Sequence, residues 1–265
     1  MGNKNDLFIG FKAGDAKDLF IHLIDSFLSE LTEEKEKELP QQNYNLTKKE
    51  DAFKMSKEEI DNDNNIINQL FVGYYETVYK CKRSRGSRKI NTYYFSTETS
   101  IIFNLEKISD YFNNKELTIE DCFDYNYIRN NKTRFFCAKC NEEEENNSYD
   151  IIYAPPKILV LILDRGKGKK FKGKVKFQVD LDLQYLIDND NKNKFNSQYK
   201  LIGVSTHSGE SSSSGHYTAC CLADDGFYYY FSDIFVDKVN EKTLYQNEPY
   251  LLFYKRLDMT TPYPN

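Results

Sequence analysis

The chain has 265 residues, 40% of them hydrophobic, which is enough to bury a core without a disulfide or metal staple. Against 41 Asp and Glu stand 36 Lys and Arg, a formal charge of -5 that excludes a general binder of nucleic-acid backbone. The longest apolar runs, such as Ile158 to Leu163, fall far short of the roughly 20 residues that cross a bilayer, so no membrane partner is expected.

The opening Met1-Gly2-Asn3-Lys4-Asn5-Asp6 carries Asp where a myristoylation signal needs Ser or Thr, and it lacks the apolar stretch of a secretory signal. Six cysteines, two of them spaced Cys-x-x-Cys, fit a metal or redox motif better than an extracellular disulfide framework. The expected setting is intracellular, cytoplasmic or nuclear.

Taken in chain order, residues 15 to 31 read as an amphipathic helix: Leu19, Phe20, Leu23, Ile24, Phe27 and Leu28 recur at helical spacing behind Asp15, a capping residue. From Thr32 to about Asn64 the chain is dense in Glu, Lys, Asn and Gln, which predicts a solvated loop followed by weak helix. Leu70 to Cys81 and Arg88 to Leu105 then read as a long hairpin around Ser84-Arg85-Gly86-Ser87. Leu117 to Phe123 is a short helix announced by Thr118 and Asp121 in capping-box spacing, and an extended stretch follows at Thr133 to Ala138. The acidic run Glu142 to Glu145 reads as a solvated segment. Lys157 to Leu163 is a buried strand, and further strands fit Val175 to Leu183, Tyr199 to His207, His216 to Leu222, Phe227 to Phe231 and Tyr250 to Tyr254. With no Trp, 21 Tyr and 19 Phe, the composition suits half-buried strands, and the class is α+β with a mostly antiparallel sheet in the second half.

Only three histidines are present. His22 lies within the first helix. His207 and His216 flank a Gly/Ser loop at the mouths of two strands, the placement with which a scaffold presents a base to a substrate.

Around them, Gly203-Val204-Ser205-Thr206-His207-Ser208-Gly209, Gly215-His216-Tyr217, Phe231-Ser232-Asp233 and Tyr250-Leu251-Leu252-Phe253-Tyr254-Lys255-Arg256 follow in an order that resembles the His box of ubiquitin-specific proteases. Upstream, Leu117 to Phe123 resembles that family's short leucine/acidic helix, Pro156 to Arg165 its buried central strand with a trailing Arg, and Gly14 to Leu19 its Gln-Asp-Ala helix. The resemblance implies a papain-like cysteine proteinase fold: palm and fingers of antiparallel sheet with a truncated helical thumb. It spans residues 8–256, with a polar low-complexity insertion at 32–64, a fingers-like region at 70–153, a palm carrying the His box at 154–256, and a tail at 257–265.

By that resemblance the partner is ubiquitin or a ubiquitinated protein, and the reaction is thiol-dependent hydrolysis of the isopeptide bond at the ubiquitin C-terminus. His216 is then the general base, Ser232 its orienting partner where the family has Asp or Asn, and Asp233 a neighbouring carboxylate. Asp15, Asp18, His207 and Tyr217 match positions that meet the ubiquitin tail. The loops Gly166 to Lys174 and Ser208 to Gly215 match two loops that fold over it. The family's Gly-x-Thr-Cys nucleophile motif does not occur in residues 1–265, which leaves three readings: part of an active enzyme, a ubiquitin-binding pseudoenzyme, or a half-domain completed by another chain. An apolar seam where a thumb would pack favours the first, a polar one the second. No cofactor is required. Family fingers often hold zinc with two Cys-x-x-Cys pairs, but here Cys81, Cys137 and Cys140 are joined by Ser84, and a hydroxyl is a poor zinc ligand.

Overall fold

The computed structural model describes residues 14–31, 49–61, 65–81, 91–113, 116–129, 131–137, 141–166, 171–211 and 214–259. Helices α1 (Ala16–Leu31), α2 (Lys49–Asp61) and α3 (Ile66–Phe71) lead into β1 (Gly73–Lys80). Strands β2 (Asn91–Glu98) and β3 (Ile101–Asn104), helix α4 (Leu105–Phe112), β4 (Glu116–Thr118) and α5 (Ile119–Phe123) follow. The remainder is strand: β5 (Asn131–Cys137), β6 (Glu142–Ala154), β7 (Ile158–Asp164), β8 (Lys174–Lys176), β9 (Asp180–Asp182), β10 (Gln198–Ser211), β11 (Ser214–Leu222), β12 (Tyr228–Ser232), β13 (Phe235–Val239) and β14 (Pro249–Arg256).

A four-stranded antiparallel sheet, order β2-β1-β6-β5, forms one part, and an eight-stranded sheet, order β13-β12-β11-β10-β14-β7-β3 with β9 beside β10, the other. The alternation of β7 explains why the larger sheet is covered on both faces. Leu159, Leu161 and Leu163 enter the main core with Phe103, Ile108, Ile119, Cys122 and Phe123 from the α4/α5 side. Val160 and Ile162 point the other way, toward Phe20 of α1 and Phe71 of α3. Each such fully buried side chain contributes roughly 1.5–3 kcal/mol. The α5 capping box forms as its spacing predicts: Asp121 N–H donates to Thr118 Oγ1 (3.1 Å) and Thr118 N–H to Asp121 Oδ2 (2.8 Å).

Three strand or loop expectations change. The predicted 88–105 strand stops at Glu98, and Ile101–Asn104 crosses to pair in parallel with β7, where Ile101 and Phe103 are buried. The predicted 175–183 strand divides into β8 and β9 on different sheets, because Phe177 and Val179 between them turn into the core. The acidic run 142–145 is extended, the first part of a 13-residue β6 paired with β5, with Glu142, Glu143 and Glu145 exposed. The weak helix expected late in the polar segment after Thr32 forms as α2 and is packed, since Phe53 lies against Tyr74, Phe95 and Tyr153 of the four-stranded sheet. The Ser84–Ser87 turn lies outside the described residues.

Helix α2 is also held by charge. Lys49 Nζ lies 2.7 Å from Asp188, 3.1 Å from Glu76 and 3.4 Å from Asp190. Glu76 is 1% exposed, and desolvation pushes its carboxyl up to about 7 against the opposing pull of Lys49.

Candidate active site

Strands β10 and β11 form a hairpin whose register sets His207 opposite Tyr217 and Ser208 opposite His216. Below this end, Thr206 and Thr218 share a buried hydroxyl hydrogen bond of 2.7 Å that ties the two strands. Gly215 is required by close approach: a Cβ there would lie 2.2 Å from His207 Nε2 and 2.6 Å from the Ser208 carbonyl.

His216 Nε2 is 2.8 Å from Ser232 Oγ at the end of β12 and 4.0 Å from Asp233 Oδ2. Asp233 begins the two-residue turn into β13 and holds φ 50°, a left-handed conformation that Asp tolerates better than most residues. The imidazole is 46% exposed, open to an incoming reactant. In the tautomer in which Nε2–H donates to Ser232, Nδ1 keeps its lone pair and is the nitrogen able to take a proton from a nucleophile. A hydroxyl fixes that tautomer, and Asp233 at the longer distance supplies negative charge for an imidazolium.

A second cluster forms one residue along. The Tyr217 ring packs on His207, with centroids 4.4 Å apart, and on Tyr250 at 6.0 Å. Tyr250 Oη donates to Asp15 Oδ1 at 2.7 Å, and that same oxygen accepts Lys17 N–H at 2.8 Å as the cap of α1. Burial chiefly, and next the negative charge of Asp15, raise the Tyr217 phenol, while donation from Ala16 N–H opposes this and Asp18 adds a smaller upward push. Lys17 Nζ meets Asp164 at 3.7 Å, closing the first turn of α1 onto the end of β7. Asp15, Asp18, His207 and Tyr217 are therefore gathered at one place, and His216, Ser232 and Asp233 at another. Strand alternation directs Tyr217 and His216 to opposite sides of β11, so the two sets meet at the hairpin end.

Sequence reasoning assigned no role to Tyr250, Gly215 or the partners of Arg165. Tyr250 could have been suspected from a hydroxyl-bearing ring near the start of an apolar strand. Gly215 was visible only as part of the Gly-His-Tyr motif, because its need arises from a ring on the other strand. Arg165 is 5% exposed. It donates to the carbonyl of Gly173 (2.9 Å) and approaches Glu248 at 3.6 Å, pinning the far end of the loop after β7.

None of the thiols lies beside the imidazole among the described residues. Cys220 is four strand positions from His216, about 13 Å. Burial pushes the Cys122 thiol up to about 12 and raises those of Cys220 and Cys221, the reverse of nucleophile activation. Cys81 and Cys137 are buried at the ends of β1 and β5, while Ser84 and Cys140 lie outside the described residues. No group of three or more His, Cys, Asp and Glu able to hold a metal occurs among the described residues.

A histidine held by a hydroxyl thus stands at a strand end, on a sheet packed between helices on both faces. A family model described as ubiquitin carboxyl-terminal hydrolase matches residues 1–254, and the chain belongs to that family. Ubiquitin carboxyl-terminal hydrolase 23 of Arabidopsis thaliana is 39% identical over 61 residues, 23% of this chain and 7% of that protein. The SAGA Ubp8/Sgf11/Sus1/Sgf73 DUB module bound to ubiquitin aldehyde contains a chain similar in fold, with TM-score 0.69 and 18% identity, over 97% of this chain and 52% of that one. The module bound to monoubiquitin gives TM-score 0.69 at 18% identity, over 97% and 51%. A yeast form with a substituted Sgf73 gives 0.61 at 18%, over 91% and 49%. The chain thus spans about half the length of these structural relatives and a small part of the curated one. Among the described residues no helix is long and apolar enough to cross a membrane.

Proposed function

We propose that this chain is the palm-and-fingers part of a thiol-dependent deubiquitinase and receives the extended C-terminal tail of ubiquitin at the β10–β11 hairpin end. The observation that carries this is the His216–Ser232 hydrogen bond of 2.8 Å, an oriented base in a member of this family. His216 Nδ1 takes the thiol proton, Ser232 holds the ring and Asp233 supports its charge. Asp15 and Asp18 present carboxylates to a basic residue of the tail, the charge-assisted contact a carboxylate makes well. The solved structures of similar fold that hold ubiquitin aldehyde or monoubiquitin support the same partner.

The nucleophile is read as belonging to polypeptide outside residues 1–265, and α1 supports this. Leu19, Phe20, Ile21, Leu23, Ile24, Phe27, Leu28 and Leu31 cover somewhat more than half of the helix circumference, yet only Ile24 is buried, and Phe27 and Leu31 are 45% and 49% exposed. Ile66 at the start of the adjoining α3 is 54% exposed. A helix apolar on so many sides is built to be covered, and this seam has not turned polar. A binding-only role is favoured by one feature, the hydroxyl at position 232 in place of a carboxylate. The protein is read as acting in the cytoplasm or nucleus, where its cysteines stay reduced, and as needing no structural zinc. Equimolar zinc in the purified chain would overturn that last point.

Polarisation of labelled ubiquitin titrated with the 265-residue chain should show saturable binding, weakened by Asp18→Arg and by removal of the ubiquitin tail. A flat titration sinks the proposal. Ubiquitin vinyl sulfone should leave the chain alone unlabelled; an adduct on any of its six cysteines would place the nucleophile inside it.

A further inference from the structure

Three groups of residues follow one another across the strand ends of the larger sheet, whose order there is β14-β10-β11-β12-β13. Tyr250 of β14, His207 of β10 and Tyr217 of β11 gather with Asp15 on the side read as receiving the ubiquitin tail. His216 of β11 and Ser232 of β12 come next. Past the base, on the side away from the tail cluster, lies the turn between β12 and β13.

This turn is not built like an ordinary surface hairpin. Turn tips favour Gly, Asn, Asp and Ser, yet Asp233 is followed by Ile234, 88% exposed, and Phe235, 67% exposed, with Val236 exposed after them. A run of three exposed apolar residues costs solubility without packing the fold, and a continuous apolar patch of this kind marks a contact surface. The register sets Phe235 opposite Ser232. Paired residues share a face of the sheet, so Phe235 stands on the side of His216, next to the hydroxyl that holds it. Val236 pairs with Phe231, also exposed, on the other face.

Backbone and charge narrow the occupant. Strand β13 ends the sheet, and no strand pairs with its outer edge among the described residues, which leaves backbone donors and acceptors for an extended segment. Exposed carboxylates flank Phe235 at Asp233 and Asp237, and alternation sets Asp237 on the same face as Phe235. The cation of this strand, Lys238, faces the other way, where it lies 3.6 Å from Asp225 and over the Phe227 ring. The surface therefore suits a segment that is apolar and basic, and it repels an acidic one.

We infer that the β12–β13 turn is a specificity surface for the protein that bears the ubiquitinated lysine. Ile234 and Phe235 take an apolar side chain beside that lysine, and Asp237 pairs with a basic residue two positions beyond it on the same face of the segment. The inference rests on the tail-binding reading and adds to it the class of modified protein.

The test joins ubiquitin, through a non-cleavable isopeptide mimic, to the central lysine of Arg-Ser-Leu-Lys-Leu-Ser-Arg or of Glu-Ser-Ser-Lys-Ser-Ser-Glu. Both conjugates and free ubiquitin are titrated calorimetrically against the 265-residue chain. The apolar, basic conjugate should bind at least about fivefold tighter than the other two ligands, the gain of partly burying a side chain or two. In the Ile234→Ser/Phe235→Ser chain that gain should vanish while the affinity for free ubiquitin stays unchanged; both side chains are exposed, so the fold does not depend on them. Free ubiquitin that binds, with no preference between the conjugates or with a preference that survives in the variant, would overturn this inference alone. A flat titration with free ubiquitin would overturn the tail-binding reading and this inference with it. Dimerisation of the unaltered chain that the double variant abolishes would assign the patch to a second copy, and that too would overturn the inference.

Discussion

Glu76 is a buried carboxyl whose effect on stability can be read as a function of pH. In the folded chain it titrates at about 7 instead of 4.5, chiefly because burial disfavours its ionised form. A folded value above the unfolded one means that the folded state is fully stabilised by this group below pH 4.5 and loses that stability as pH rises through about 7. Moving the carboxyl from 4.5 to about 7, at 1.36 kcal/mol per pH unit, amounts to about 3 kcal/mol lost between those limits. Glu76→Gln keeps the shape and imitates the protonated form, while Lys49 retains Asp188 at 2.7 Å and Asp190 at 3.4 Å. Urea unfolding of both chains between pH 4 and pH 8.5 should show nearly equal stability at the acid end. The variant should then become progressively more stable, by about 3 kcal/mol at the alkaline end. A difference that is flat with pH, or a variant less stable at pH 8.5, would show that Lys49 needs the Glu76 charge and that the desolvation reasoning fails.

Gly215→Ala places a methyl group 2.2 Å from His207 Nε2; it should destabilise the chain by about 1–3 kcal/mol, as overpacking does, and shift the His207 ring resonances in NMR while leaving those of His22 in place. Tyr250→Phe removes the 2.7 Å hydrogen bond to Asp15, so faster amide exchange in the first turn of α1 and a stability loss of about 1.5–3 kcal/mol are expected, with exchange in β5 and β6 unchanged. Thr118→Ala dismantles the α5 capping box and should cost about 1 kcal/mol in chemical unfolding.

The elements written locally were legible before any coordinates. Asp15 caps α1, Thr118 and Asp121 close the box on α5, and the alternating strands from Tyr199 onward form where their pattern places them, because caps and pleats depend on residues a few positions apart. The elements that moved did so for want of distant partners. Ile101–Asn104 leaves its hairpin because the edge of β7 offers burial for Ile101 and Phe103. The weak helix of a polar stretch becomes packed because Phe53 finds three aromatic rings and Lys49 finds three carboxylates from other parts of the chain.

The candidate site divides in the same way. The ordered motifs around His207, His216 and Ser232 singled out the histidine and the hydroxyl that the fold sets 2.8 Å apart, since one family repeats those residue types in that order. That Tyr250 holds Asp15 and that Gly215 clears His207 could not be read from residue order. Each depends on side chains from strands or helices far apart in the chain, and such contacts exist only once the sheets have set their register.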